Sequence, residues 1–415
     1  MKTRYPRLFL QPGRERSLLQ GHPWLFSGAV ARCEGSPEPG ELVLAVTADE
    51  TPLAVGFYNP LTNIAFRCLS HDPESMVDRN FLRRLIVDAR ALREKVVPGR
   101  TDAYRLINAE GDGLPGLVVD RYGPYLAVSF STAGVERFHR EILDILRKEF
   151  KPVAIYERSE GKARSLEGLT DRTGPAAGRM PPPIVDIREN DLIFEVDILS
   201  GQKTGFFLDQ RINRELVGSL ARGARVLNCF SYSGGFSVYA GQGGAAEVTS
   251  VDVSLAAGRL AKANWTKNDL PEGDHRVITA DVFDYLRGDE GRYDLVILDP
   301  PAFTKSTKDV ARAAAGYKEI NMQGIGKLKE GGLLFTFSCS NFIDEALFEK
   351  IVLGAIRDRG KMARLLKVLG PGPDHPVNLA HSEGRYLKGL MLSVSGSGGF
   401  QTRPDLDFLG MGKNI

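Results

Sequence analysis

The stretch "RVLNCFSYSGGFSVYA", Arg225 to Ala240, decides how this chain is read. An apolar run breaks at Asn228, passes through small and aromatic residues to Gly234-Gly235, and resumes as a helix. A strand that turns into a helix at paired glycines lets backbone approach a ligand closely, and the new helix offers unpaired N–H groups. The dinucleotide fingerprint G-x-G-x-x-G is not matched, because Asn228 and Ser231 stand where a dehydrogenase carries glycine. A nicotinamide cofactor is therefore disfavoured.

Outward from that turn the pattern is regular. After Ile193, strand-like runs "ARVLNCF", "EVTSVDV", "HRVITADV", "YDLVILDPP" and "GGLLFTFSCS" alternate with helical segments beginning near Gly235, Leu255, Asp281, Lys308 and Asp344. Such alternation predicts a parallel sheet covered by helices on both faces, with ligands at the carboxyl ends of the strands. Asp252 ends the second of these strands, where a carboxylate accepts hydrogen bonds from ribose hydroxyls, and Asp281 ends the third, where it can receive an adenine amino group. Both aspartates can equally cap the helices that follow.

The fourth strand ends in "LDPPAF". Pro300 and Pro301 force an extended backbone without amide donors, which directs Asp299 and the neighbouring carbonyls toward a planar group, with Phe303 beside them. The fifth ends at Cys339 between two serines. A cysteine is most often a buried structural thiol, but at a strand's carboxyl end a thiolate can attack an electron-poor ring carbon. Cys229, inside the first strand, reads as core.

Residues 1–72 are rich in turn residues and short alternating runs and predict a small β-barrel. From Ser75 to Val97 the apolar spacing predicts an amphipathic connecting helix, and residues 73–189 together form an α+β middle domain ending near "TGPAAGRMPPP". The catalytic sheet is expected over 190–402, with a tail at 403–415.

The 415 residues, 42% hydrophobic, suffice for several domains with their own cores, and no apolar window approaches the ~20 residues of a membrane span. With no secretory leader pattern at the N-terminus, a cytoplasmic location is expected. Four scattered cysteines and six histidines show neither disulfide nor zinc spacing, so no metal is expected. Net charge is only +2. Basic residues cluster locally, however: Lys2, Arg4, Arg7, Arg14 and Arg16 near the N-terminus, and Arg79, Arg83, Arg84, Arg90, Arg93, Lys95 and Arg100 along the connecting helix. They can grip phosphates or form a solvated face.

With these residues assembled, the chain resembles the class I S-adenosylmethionine-dependent methyltransferases, and within them the bacterial large-subunit (23S) ribosomal RNA cytosine-5 methyltransferase family RlmI. "QPGRERSLLQGHPWLFSGAV" resembles that family's PUA-type RNA-binding barrel, "NAEGDGLPGLVVDRYG" its middle domain, and "SGQKTGFFLDQRINR" the segment leading into the catalytic fold. The resemblance implies a Rossmann-like domain with a seven-stranded, mostly parallel sheet. It implies that S-adenosylmethionine is surrounded by Gln210, Arg211, Asn228, Phe230, Ser231, Ser233, Gly234, Gly235, Asp252, Val253, Asp281, Val282 and Asp299. Lys203, Pro300, Pro301 and Phe303 are then expected at the RNA base, with Cys339 as nucleophile and Asp299 assisting at the ring edge.

The partner expected is RNA, most of all ribosomal RNA, with Trp24 or Phe26 available for stacking unless they belong to the barrel core; a homodimer is compatible with the pattern. A guanine-nitrogen methyltransferase on the same fold, which needs no thiol, and a non-catalytic RNA-binding or assembly factor are the alternatives.

Overall fold

The computed structural model describes residues 5–304 and 306–396. The expected tail at 403–415, together with Lys2 and Arg4, lies outside the described residues. Two compact units are formed, and the chain passes between them five times: 5–191, 196–208 and 373–384 build the first, and 192–195, 209–372 and 385–396 the second.

The second unit holds the sheet that the alternation predicted. Its strands are β1 (Arg225–Cys229), β2 (Glu247–Asp252), β3 (His275–Thr279), β4 (Tyr293–Leu298), β5 (Leu328–Ser338), β6 (Met362–Leu369) and β7 (Lys388–Ser395), in the order β3-β2-β1-β4-β5-β7-β6. The first five run parallel; β7 is antiparallel to both β5 and β6.

Both faces are buried, and the pleat sends successive side chains to opposite sides. Leu227, Val296, Leu298 and Leu334 point into one apolar cluster, while Val226, Leu295, Ile297 and Phe335 point into the other. Of the helices, α1 (Arg211–Leu220), α2 (Gly235–Gln242) and α3 (Leu255–Lys267) cover the second cluster, whereas α4 (Val282–Gly288), α5 (Val310–Lys327) and α6 (Glu345–Asp358) cover the first. Three helices begin at side-chain caps: Ser254 accepts from the Ala257 N–H at 3.2 Å, Asp281 from Asp284 at 3.0 Å and Asp344 from Leu347 at 2.7 Å.

The first unit contains a six-stranded, PUA-like half-barrel built from strands between Arg7 and Ser70, and a five-stranded sheet built from strands between Ala103 and Gly178. Both sheets and the helix Arg79–Val96 share one apolar core in which Phe9, Val55 and Phe57 meet Leu82, Ile107 and Val128. Among the described residues no helix is long and apolar enough to cross a membrane.

The basic face expected on that connecting helix is largely neutralised. Arg93 is 1% exposed and donates to Asp112 and to the Asp374 carbonyl, so it cannot reach a phosphate. Arg79, Arg83 and Arg90 pair with Asp144, Glu149 and Glu94, and Arg7 pairs with Glu34 and Glu50.

Candidate active site

Register brings the sequence-predicted residues of the second unit to one edge. Ile278, Val251, Cys229, Leu298 and Thr336 pair in a single row across β3, β2, β1, β4 and β5. The residues just beyond that row include Asp252, Phe230 and Asp299, with Cys339 closing the edge after β5. Neighbouring strands lie about 4.8 Å apart, so the ends of β2 and β5 stand roughly 15 Å apart, room for an extended nucleoside and a planar base.

The turn after β1 is wound unusually. Phe230, Tyr232 and Gly234 have φ of 58°, 45° and 77°, so every second residue is left-handed. Two non-glycine residues in that region imply that the surroundings enforce it. Asp252 is part of the enforcement: one carboxylate oxygen accepts from the Tyr232 N–H at 2.8 Å, the other from Ser254 at 2.9 Å. Val253, next to it, is 72% exposed, an apolar side chain left uncovered at a strand end.

The two glycines also have a packing role. A side chain at Gly234 would come within 2.9 Å of Ala261 on α3, and one at Gly235 within 2.9 Å of Arg214 on α1. Both glycines therefore permit close packing of the turn against these helices.

Within the turn, the hydroxyls of Ser231 and Ser233 are buried and have no hydrogen-bond partner among the described residues. Buried polar groups ordinarily find one. These two orphans, the partly accessible carboxylate of Asp252 and the bare apolar side chain of Val253 form a donor set that fits a nucleoside carrying an amino-acid end, as S-adenosylmethionine does.

Several of the expected residues are engaged within the protein itself. Asn228 is 0% exposed and has no surface for a ligand. Its amide donates to Ser237 at 2.9 Å, which shares a hydrogen bond with Ser250, which in turn meets His275 Nε2 at 2.8 Å, so Asn228 heads a buried polar chain linking α2, β2 and β3. Gln210, 1% exposed, donates to Asp299 at 3.0 Å and accepts from Asn213 at 2.6 Å; it orients Asp299 from behind. Arg211 and Val282 are also buried. Asp281 caps α4 with one oxygen while remaining exposed. Phe303 packs between Tyr317 and Phe283, with ring centroids 4.5 and 6.1 Å away. Lys203 lies in the first unit, exposed, its ammonium 4.7 Å above the Phe207 ring.

Cys339 is partly accessible, and its Sγ lies 3.9 Å from the Pro300 carbonyl. The thiol and the Asp299-Pro300-Pro301 segment are therefore together. Cys68 and Cys229 are buried, while Cys33 is half-buried like Cys339; desolvation pushes the Cys33 thiol up to about 11, the Cys68 thiol to about 12 and the Cys229 thiol still higher. A deprotonated nucleophile near neutral pH is not available from these three.

In the first unit, Trp24 is half-buried: its indole donates to Glu110 at 2.9 Å and its ring lies 4.3 Å from that of His381. Phe26 is 44% exposed, and Arg14 and Arg16 are exposed.

Comparison with known proteins bears on this arrangement. A family model for S-adenosylmethionine-dependent methyltransferases matches residues 175–356, and a PUA-like domain model matches 8–71. The ribosomal RNA large subunit methyltransferase I of Tolumonas auensis is 42% identical over 390 residues, 93% of this chain and 98% of the relative. The chain belongs to the ribosomal RNA large subunit methyltransferase I family. An Escherichia coli O127:H6 protein of that name is 40% identical over 392 residues, 94% of this chain and 99% of its own.

The solved structure of a candidate S-adenosylmethionine-dependent methyltransferase from Streptococcus mutans superposes with a TM-score of 0.80 at 26% identity, covering 93% of this chain and 99% of the other. A second solved relative with the same score and coverage is complexed with SAH. The ribosomal RNA large subunit methyltransferase I family is S-adenosylmethionine-dependent, and so is this enzyme.

Proposed function

We propose that this chain methylates carbon 5 of a cytosine in large-subunit ribosomal RNA, with Cys339 as the nucleophile. The observation that supports it most is the accessible thiol beside Pro300 and Asp299, on the same sheet edge as the Asp252 carboxylate. A guanine nitrogen attacks through its own lone pair and leaves such a thiol without a task.

S-adenosylmethionine, when bound, supplies an electrophilic methyl group. On the protein side, Asp252 holds the ribose hydroxyls, Val253 the adenine face, and the Ser231 and Ser233 hydroxyls the polar remainder. Carbon 5 of cytosine is a poor nucleophile. The Cys339 thiolate adds to carbon 6, forming a C–S bond and moving an electron pair onto carbon 5. That pair would form a bond to the methyl group, whose bond to the sulfonium would break to leave a neutral thioether; loss of the carbon-5 proton to a base then re-forms the 5,6 double bond and expels the thiolate. Asp299, fixed by Gln210, holds the ring edge at nitrogen 3 of the flipped base. Exposed Arg14 and Arg16, with Phe26, serve the RNA backbone and bases.

Incubation with methyl-labelled S-adenosylmethionine and ribosomal RNA, followed by digestion, should yield labelled 5-methylcytidine. Cys339→Ala should lower turnover at least about a thousandfold while calorimetric cofactor affinity stays within about twofold. An N-methylguanosine product, or retained turnover in the variant, overturns the reading.

A further inference from the structure

The cysteine's surroundings contain a cation. Lys388 opens β7 and pairs in register with Ser338, the last residue of β5. The side chain of this lysine is not directed to solvent; the residue is 4% exposed. A lysine so buried is rare unless a negative group or a set of acceptors compensates it. Its Nζ donates to the Ser340 carbonyl at 2.7 Å, and no carboxylate among the described residues forms an ion pair with it. An ammonium has three donors, and here one is used within the protein.

The Ser340 carbonyl also accepts from the Ile343 N–H at 3.2 Å, and the Ser340 hydroxyl shares a 2.9 Å hydrogen bond with Tyr317. Lys388 thus pins, from behind, the residue that follows Cys339. The charged and titratable groups around the thiol come from four elements: Lys388 from β7, Tyr317 from α5, Asp344 and Glu345 at the start of α6, and Asp299, which precedes Pro300 at the end of β4.

Burial pulls the Lys388 ammonium below the ordinary lysine range, and Cys339 is the foremost group pulling it back, ahead of Glu345 and Asp344. Burial pushes the Tyr317 phenol up, so it stays neutral. Asp344 and Glu345 oppose a thiolate, but Asp344 is exposed and engaged as the α6 cap.

We infer that Lys388 is a positioning residue for the reaction: its buried ammonium fixes the Ser340 turn that presents Cys339 and supplies the positive charge that stabilises the thiolate. The thiol proton leaves to solvent before attack, Lys388 keeps its own proton throughout, and the thiolate released at the end returns to the same field. The inference rests on Cys339 being the nucleophile.

The test is the pH dependence of iodoacetamide alkylation of Cys339 in the full chain, read by mass spectrometry of its peptide. The wild-type thiol should titrate below the ordinary value of about 8.5. Lys388→Met should raise it by about one unit or more, cutting alkylation near neutral pH roughly tenfold. Lys388→Arg should restore it to near wild type, and the acid limb of the kcat profile should move with the thiol in each variant. Lys388→Gln replaces the Met variant if that chain loses cofactor binding.

A wild-type thiol at or above the ordinary value overturns the inference without any variant. So does a Lys388→Met thiol that titrates like wild type. If Cys339→Ala is inactive but the Lys388→Met titration is unmoved, this inference alone falls; if Cys339→Ala still forms 5-methylcytosine, the nucleophile reading falls and this one with it.

Discussion

Ser231 carries a buried hydroxyl with no hydrogen-bond partner among the described residues, and such a group makes a sharp prediction. Removing an unsatisfied buried polar atom costs the free protein little, because no hydrogen bond is lost. Ser231→Ala should therefore leave the urea midpoint nearly unchanged, within about 0.5 kcal/mol, while weakening S-adenosylmethionine about five- to tenfold by calorimetry. A variant that loses stability and affinity equally would show the hydroxyl to be structural.

At this scale the legible residues were those whose environment follows from strand position. Cys339 and Cys229 were separable because one lies past the end of a strand and the other inside one, and burial separates them in the same way. Asn228, Gln210 and Lys388 were not legible in their actual roles. Each acts through a partner fixed by tertiary pairing, Ser237, Asp299 and Ser340, and the last two lie 89 and 48 residues away.

Elements were most legible where both faces of a strand are covered, since β1, β2, β4 and the end of β5 then read as compact apolar runs between helices. The antiparallel edge escaped that reading. Six of the eight residues of β6 are exposed, including Leu365, Leu366 and Val368, so no alternation marks it as a strand. The opposite edge strand, β3, carries a pH-sensitive element. His275 stacks on Trp265 of α3 at 4.3 Å, meets Ser250, and is held by burial, with Lys262 adding, down to about 4.

Between about 6.5 and 4 the unfolded chain binds a proton that the folded one refuses, so stability is full above 6.5 and is lost as pH falls through that window. The slope is at most about 1.4 kcal/mol per pH unit, and less because the ring keeps some contact with water. In a Trp24→Phe background, where Trp265 alone reports, the stability advantage of His275 over a His275→Gln variant should shrink by about 1 to 2 kcal/mol from pH 7.5 to 5. An advantage independent of pH would mean that the imidazole is not kept neutral by folding.

For the molecule as a whole, the sequence pattern changes near residue 72, but the core that the two sheets on either side of it share was not legible. Nor was the return of 373–384 to the first unit, because nothing local announces a contact nearly 300 residues away. That segment supplies specific partners. The Asp374 carbonyl accepts from buried Arg93 at 2.9 Å, its carboxylate from the Arg105 N–H at 3.1 Å, the Pro376 carbonyl from Asn108 at 2.9 Å, and His381 lies against Trp24.

A fragment ending at residue 208 keeps both sheets of that unit but leaves these donors without acceptors in a buried setting. Each such loss costs about 1 to 3 kcal/mol, more where the donor is charged as in Arg93. The fragment should unfold at clearly lower urea than the Trp24-reported transition of the full chain, here in a Trp265→Phe background. Joining 373–384 to its end through a flexible glycine-rich linker should recover most of the difference. Equal midpoints for fragment and full chain would mean that the first unit is complete without its distant segment.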